Sequence, residues 1–342
     1  MPREVKAPPV EHARSHTGHW TLVSRKEEKA MRWFGWFRKK PAGQEEMGAI
    51  QALALQEGTP IALVAGRMRT VGLPYTLPHD VEEVNRLDFQ HYTLRYAFQG
   101  IYAAPLKQPM DILDVGTGTG RWALEMAQYF PSAQVIGVDV NPPPVDEVAR
   151  IGVGADLRPP NYRFMPGNVL EGLPFPDGSF DYVHMRLLFS AIPSERWPFV
   201  ATELARVTRP GGWIESVETT RAFNGGPNVD LMVEWIAQMA ARRGVNVDDG
   251  GRVAEFMRGA RLINIAQSVV NVPMGASGGR LGELVAIDYL GVCKAIGGFI
   301  TGVGLATPEQ FESTLAWMRE DFKSPRLRCF GPFYIVIGQR AV

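Results

Sequence analysis

The stretch DILDVGTGTGRW, residues 111–122, joins a short apolar run to three closely spaced glycines. Glycines that directly follow a strand allow the backbone to approach a bound ligand closely. The candidate ligand-binding residues of this loop are Asp114, Gly116, Thr117, Gly118 and Gly120. The loop lacks the GK[ST] triplet of a Walker-type nucleotide site, whereas GTGRWA, residues 118–123, is a weak match to the dinucleotide fingerprint. A nicotinamide dinucleotide therefore stays open as one ligand.

A second carboxylate follows at the end of the next predicted strand. Asp139 and Val140 are further candidate ligand-binding residues, and Asp139, which lies 19 residues after Gly120, can accept hydrogen bonds from both hydroxyls of a ribose. That residue would also serve a dinucleotide. Asp114, just before the loop, favours a different ligand, because its charge would repel a pyrophosphate but can order a loop that faces a cationic amino-acid group. The loop thus indicates an adenosine compound with an amino-acid end.

The surrounding segments must bring these residues to one place. The predicted strands of this region are 112–115, 134–140, 162–168, 180–186 and 213–218, with helices at 121–130, 145–151 and 195–207. Such alternation is typical of a mainly parallel sheet that helices cover on both faces. Ligands bind such sheets beyond the C-terminal ends of the strands. Two further strands are predicted at 263–273 and in the last segment, CFGPFYIVIGQR.

Composition and hydrophobic pattern divide the chain into four parts. They are a tail or linker at 1–44, a helical N-terminal cap at 45–104, a ligand-binding core at 105–220, and a helical cap insertion with the final strands at 221–342. Within the N-terminal cap, helices are predicted at 45–57 and 80–104. Asp80 is the expected N-cap of the second, which we expect to end near Gly100. The C-terminal part has predicted helices at 228–243, 251–260, 280–300 and 308–322.

Three side chains are candidates for acid–base or electrostatic work. Strand alternation places Tyr182, His184 and Arg186 on one face of the predicted strand, with His184 near its C-terminal end. His184 is a candidate base, or else a hydrogen-bonded structural histidine. Arg186 either binds a carboxylate of the ligands or pairs with an acidic neighbour. His91, in the 80–104 helix, is a third candidate that could instead only cap or pack.

Composition excludes several function classes. Lys+Arg and Asp+Glu both number 36, so no basic excess predicts nucleic-acid binding. The two cysteines form no CxxC or Cys/His cluster, and we expect no metal site. Without a signal peptide or a run of 18 apolar residues, we expect a cytoplasmic protein. The segment MRWFGWFRKK, from Met31 to Lys40, is aromatic and basic, which is compatible with a peripheral membrane contact or with docking on a partner.

Further segments extend the pattern of the glycine loop. MPGNVLEGLPFPDGSFDYVHMR, residues 165–186, and LARVTRPGGWIESVE, residues 204–218, follow it in order. Together they resemble the class I S-adenosylmethionine-dependent methyltransferases over about residues 105–220, with Arg209 in place of the usual lysine of the "KPGG" turn. The resemblance implies a Rossmann-like α/β fold with a mainly parallel seven-stranded sheet, helices on both faces and a helical cap.

The resemblance also assigns cofactor contacts. Asn168 would meet the adenine amine, and Val169 would lie against the adenine ring. YTLPHDVEEVNRLDFQHYTLRY, residues 75–96, and VHMRLL, residues 183–188, resemble methyltransferases of bacterial and fungal secondary metabolism, some of them regulator-like. By this resemblance Tyr75 would lie near the methionine end of the cofactor, and Met185 is counted with the cofactor-binding residues.

The function expected from these features is methyl transfer from S-adenosylmethionine, with S-adenosylhomocysteine as product. The expected acceptor is a small, apolar, secondary-metabolite-like molecule, and oxygen is the favoured acceptor atom. Methylation of a peptide or protein side chain, a lipid-like acceptor, and a regulatory protein that binds the cofactor with little turnover are alternatives. An NAD-type oxidoreductase is a further alternative. A homodimer is an additional expectation.

Overall fold

A computed structural model describes residues 61–64, 67–70, 77, 80–141 and 159–342. Two short antiparallel strands come first, β1 (Ile61–Val64) and β2 (Arg67–Thr70). Several sequence predictions lie outside the described residues: the tail with its aromatic-basic segment, the helices at 45–57 and 145–151, and Tyr75.

The main sheet has seven strands in the order β5-β4-β3-β6-β7-β9-β8. They are β3 (Asp111–Val115), β4 (Gln134–Asp139), β5 (Tyr162–Pro166), β6 (Phe180–Arg186), β7 (Thr208–Thr219), β8 (Ile263–Met274) and β9 (Cys329–Gln339). The strands from β5 to β7 pair in parallel, and β9 runs antiparallel to both of its neighbours. The predicted α/β fold with a mainly parallel seven-stranded sheet is therefore confirmed. The strand order reverses beside β3, so the glycine loop lies at the topological switch point.

Seven α-helices accompany the sheet in the described part of the chain. They are α1 (Val81–Phe98), α2 (Arg121–Tyr129), α3 (Trp197–Val207), α4 (Gly226–Ala241), α5 (Val253–Gly259), α6 (Gly279–Gly302) and α7 (Pro308–Asp321). The Oδ1 atom of Asp80 accepts the backbone N–H of Glu83 at 3.0 Å, as an N-cap does. Helix α1 ends at Phe98, close to the predicted end near Gly100, and its C-cap residue Gln99 adopts a left-handed conformation with φ 54°.

The glycines of the RPGG segment do not form the predicted turn before a strand. Strand β7 begins already at Thr208, which pairs with Phe180, and the next pair in register is Trp213 with Tyr182. Residues 209–212 thus form an irregular bulge inside the strand. Gly211 has φ 79°, and bulges commonly place a glycine in this left-handed region.

Alternation along β6 divides its side chains between two layers of core. Val183 and Met185 lie in the cluster that includes Trp197 of α3, whereas Tyr182 lies in the cluster that includes Trp122 of α2. His184 and Arg186 share the second face with Tyr182. The polar residues of the strand therefore lie on the side that α1 and α2 cover.

A third cluster fills the space between α4, α6, α7 and the outer strands, and it includes the buried Cys293 and Cys329. Helix α6 is the only described helix long and apolar enough to cross a membrane by length and composition. Its buried face, which includes Ile296 and Ile300, belongs to this cluster, so much of that apolar character serves packing within the domain.

Candidate active site

A cavity of about 360 Å³ opens beyond the C-terminal ends of β3, β4 and β6. That volume lies within the range of small-molecule sites, which runs from roughly 300 to 1,000 Å³. The glycine loop forms one wall, α1 forms a second, and α4 and α6 form the far end. One continuous space thus joins the loop that the sequence predicts to bind a cofactor with the helices of the cap.

The three glycines of the loop have left-handed backbones but different surroundings. A Cβ atom on Gly116, at φ 70°, would lie 2.6 Å from a methyl carbon of Leu188, and one on Gly120, at φ 75°, would lie 2.7 Å from the Tyr162 hydroxyl. A Cβ on Gly118, at φ 54°, would find its nearest neighbour, a Leu87 methyl carbon, only at 3.9 Å. Gly118 lines the cavity and Gly120 does not. Gly116 and Gly120 are thus required by packing, whereas the space over Gly118 is left for a ligand.

Asp139 supports this loop from the end of β4. Its Oδ2 atom accepts the backbone N–H of Gly118 at 2.9 Å, and its Oδ1 atom accepts that of Asn141 at 3.1 Å. Burial raises the pKa of Asp139. Each carboxylate oxygen has two lone pairs, so both atoms retain capacity for ribose hydroxyls. Asp139 and Val140 both line the cavity.

Asp114 connects the loop with β6. Its Oδ1 atom lies 2.8 Å from Nδ1 of His184, and its Oδ2 atom accepts the hydroxyl of Thr117 at 2.6 Å. The His184 ring stacks on Trp122 with centroids 3.7 Å apart and planes 5° from parallel. The carboxylate fixes the Nδ1 side of the imidazole, which leaves Nε2 as its other proton-transfer atom. Asp114, Thr117 and His184 all line the cavity.

Arg186 and His91 are in direct contact rather than acting as separate groups. The Nη2 atom of Arg186 lies 3.0 Å from Nδ1 of His91. Because a guanidinium only donates, Nδ1 must be the acceptor. On the other side of the ring, Nε2 lies 3.2 Å from Oε2 of Glu125, a close contact without good hydrogen-bond alignment. Since its Nδ1 lone pair is engaged, His91 acts on Arg186 rather than as a base.

The predicted adenine contacts lie just beyond β5. Asn168 and Val169 both line the cavity. The Asn168 side chain also shapes its own turn, since Oδ1 accepts the N–H of Leu170 at 3.0 Å and Nδ2 donates to Glu171 at 2.9 Å. Met185 does not line the cavity, because strand alternation turns its side chain to the opposite face of the sheet. That placement argues against the cofactor contact expected of Met185.

Sequence reasoning missed a buried anchor between α1 and the glycine loop. Asp88 accepts the hydroxyl of Thr119 at 2.7 Å through Oδ1 and the guanidinium of Arg121 at 2.6 Å through Oδ2. The side chains of Asp88 and Arg121 are each only 9% exposed. An aspartate between the apolar residues Leu87 and Phe89 was the available signal, because a buried charge requires a partner. The anchor fixes α1 as a wall of the cavity.

The far end of the cavity is apolar. Its walls carry aliphatic and thioether side chains of α4 and α6: Val233, Ile236, Met239, Val285, Val292 and Ile296. The polar groups at its α1 side pair with one another: Asp288 accepts from Arg86 at 2.7 Å and from Gln90 at 2.8 Å, and Arg86 also pairs with Glu83. Arg243 also lines the cavity, and burial lowers its pKa to about 10. Across the described residues, no group of three or more His, Cys, Asp or Glu side chains could hold a metal ion.

The sequence of this chain is similar to those of known methyltransferases. The family described as "Methyltransferase domain" matches residues 112–212. "Methyltransferase str3" of Strobilurus tenacellus is 36% identical over 155 residues, which cover 44% of this chain and 52% of that protein. "N-methyltransferase verN" of Clonostachys rogersoniana is 32% identical over 185 residues, which cover 51% of this chain and 61% of that protein.

This chain is also similar to a relative that is described as a regulator rather than as a methyltransferase. "Secondary metabolism regulator LAE1" of Cochliobolus heterostrophus is 29% identical over 214 residues, which cover 58% of this chain and 66% of that protein. The chain spans about half the length of the first of the curated relatives it matches. The matched region includes β3 to β6, the glycine loop and Asp139.

Proposed function

We propose that this chain, which belongs to the class I S-adenosylmethionine-dependent methyltransferases, transfers the methyl group of that cofactor to a small apolar acceptor. The observation that carries the proposal is the single cavity, in which the space over Gly118 continues into the apolar pocket between α4 and α6. A donor on the glycine loop and an acceptor against these helices would therefore meet without solvent between them.

The residues of the cavity suit S-adenosylmethionine in one orientation. The sheet order β5-β4-β3-β6 presents Asn168 and Val169, then Asp139, then the glycine loop, and finally Arg186. This succession matches adenine, ribose, sulfonium and amino acid along the length of the cofactor. The open space over Gly118 accepts the cofactor chain where a side chain would block it. The fit is thus supported by the strand order as well as by the loop.

When bound, S-adenosylmethionine supplies an electrophilic methyl group, so the protein has to bind, align and exclude water. Helix α1, which Asp88 anchors to the glycine loop, covers the reaction space. The apolar side chains of α4 and α6 orient an apolar acceptor. His184, which Asp114 fixes at Nδ1, is the residue we assign to accept a proton from a hydroxyl acceptor. Its replacement should then lower kcat by about 10²–10⁴-fold.

Oxygen is our favoured acceptor atom, and the similarity to an N-methyltransferase supports nitrogen as the alternative. The two atoms differ in what they require from His184. A hydroxyl is a poor nucleophile until it loses its proton, whereas a neutral amine can attack directly and lose its proton afterwards. His184→Gln should therefore abolish turnover of a phenol far more than turnover of an amine of similar shape.

A regulatory protein that binds the cofactor with little turnover is the second candidate, supported by the similarity to a secondary-metabolism regulator. The deciding experiment incubates the full chain with methyl-labelled S-adenosylmethionine and a panel of apolar phenols and amines. Label that enters the organic phase, and that excess S-adenosylhomocysteine suppresses, supports the small-molecule enzyme. Label confined to precipitated protein supports side-chain methylation. Cofactor binding without label transfer to any acceptor, including cell extracts, supports the regulator.

A further inference from the structure

The position of Arg186 defines the amino-acid end of the proposed cofactor site. Val115 pairs with Met185 in the parallel register of β3 and β6, so Arg186 emerges from β6 beside Gly116, the first residue of the loop. Arg186 lines the cavity there, next to the strand that carries Asp114. A zwitterionic amino acid would find a carboxylate for its ammonium group and a guanidinium for its carboxylate. This inference rests on the proposed function.

The Arg186 guanidinium donates a hydrogen bond to the buried imidazole ring of His91. His91 is 1% exposed, and its Nδ1 atom takes a hydrogen from Arg186 at 3.0 Å. A neutral imidazole that accepts at Nδ1 must carry its proton on Nε2. That proton lies on the side of the Glu125 carboxylate, whose Oε2 atom is 3.2 Å from Nε2 in a close but poorly aligned contact. The order of contacts from α2 through α1 to β6 is therefore Glu125, His91 and Arg186.

The charge states agree with this order. Burial lowers the pKa of His91, so the ring is neutral and its Nδ1 lone pair is available to the guanidinium. Burial works against ionisation of Glu125, but His91, Arg95 and Arg121 together outweigh burial and hold the pKa of that carboxyl below its usual range. Arg95, on the solvent side, pairs with the other carboxylate oxygen at 2.8 Å. Glu125 is thus an anion whose charge favours the tautomer of His91 that carries its proton on Nε2.

We propose that Glu125 and His91 are positioning residues, which hold the Arg186 guanidinium where it binds the carboxylate of the cofactor's amino-acid end. A guanidinium on a flexible side chain gains affinity when a neighbour restricts it to the productive rotamer. The support then acts on ligands that carry the carboxylate. Ligands that share only the adenosine part should not respond to it.

A pair of ligands tests this selectivity. S-adenosylhomocysteine carries the amino-acid end, whereas 5′-methylthioadenosine is an adenosine thioether that lacks it. His91→Leu should weaken binding of S-adenosylhomocysteine at least about tenfold, the scale of losing a charge-assisted hydrogen bond, and should change binding of methylthioadenosine less than twofold. His91→Asn, whose amide oxygen can accept in place of Nδ1, should recover most of that loss. Glu125→Gln should show the same selectivity with a smaller loss.

Glu82→Gln is the matched control, because its carboxylate also pairs with a cation but is 60% exposed on the other side of α1. It should leave both affinities unchanged. Equal losses for the two ligands in His91→Leu, or no loss at all, would overturn the positioning role. If His91→Leu does not fold, Glu125→Gln decides: a selective loss of at least threefold supports the proposal and equal affinities overturn it. If the wild-type chain binds neither ligand, the proposed function fails and the positioning role fails with it.

Discussion

Gly118→Ala should separate ligand binding from folding. The backbone of Gly118 has φ 54°, so an alanine there is strained by about 1–2 kcal/mol. Its methyl group would meet no neighbour closer than 3.9 Å, so no clash adds to that strain. For a domain of this size the melting temperature should fall by roughly 2–8 °C. The methyl group would, however, occupy the ligand space, at a cost of about 1–3 kcal/mol in binding, or roughly 5- to 150-fold in affinity.

Calorimetric titration with S-adenosylhomocysteine and thermal unfolding measure the two effects separately. Gly304→Ala is the matched control, because Gly304 has φ 73° and a Cβ atom there would have nothing within 4 Å. It should show the same loss of stability and bind the ligand like the wild type. If Gly118→Ala binds as tightly as Gly304→Ala, the ligand does not lie over Gly118, and our interpretation of the loop is wrong.

Two further predictions concern buried carboxylates. Burial raises the pKa of Glu218 to about 8 although the N–H groups of Leu188 and Phe189 donate to it. The folded protein therefore holds this proton more tightly than the unfolded chain, whose value is 4.5. The stability that this proton contributes to the folded state is complete below about pH 4.5 and is lost as the pH rises to about 8. In urea unfolding, the free energy of unfolding of the wild type should therefore fall relative to that of Glu218→Gln by roughly 1.4 kcal/mol per pH unit in that window. A difference that is constant with pH would contradict the assignment. Asp88→Asn leaves Arg121 buried without its anion and should lower the free energy of unfolding by about 3–5 kcal/mol in the same assay. The control Glu82→Gln changes an exposed carboxylate and should cost less than about 1 kcal/mol. Equal effects of the two substitutions would show that Asp88 does not anchor α1.

The sequence alone predicted the parts of the site that depend on local pattern. The glycines and Asp139 lie on consecutive units of a strand–helix alternation, and a parallel sheet necessarily brings the ends of its strands together. The placement of His184 and Arg186 on one face followed from the two-residue period of a strand. Met185 was counted with the cofactor-binding residues by resemblance, although the same period turns its side chain to the other layer of core, where the structure places it.

The remaining features depend on contacts between distant segments. Arg86 and Asp288 form an ion pair across 202 positions, and no local pattern reports which helix of the cap lies against α1. The contact of His91 with Arg186 spans 95 positions and likewise appears only when α1 packs on the sheet. The bulge within β7 was missed because consecutive glycines predict a turn as readily as an irregular strand.

Calorimetric titration of the full chain with S-adenosylhomocysteine, in parallel with NADH, tests the central claim most directly. Our account predicts saturable one-to-one binding of S-adenosylhomocysteine, no binding of NADH, and a loss of about 1–3 kcal/mol in Asp139→Ala, in which the ribose hydroxyls lose their acceptor. Binding of NADH without binding of S-adenosylhomocysteine would contradict the account. An unchanged affinity in Asp139→Ala would contradict the assigned orientation of the cofactor along the strands.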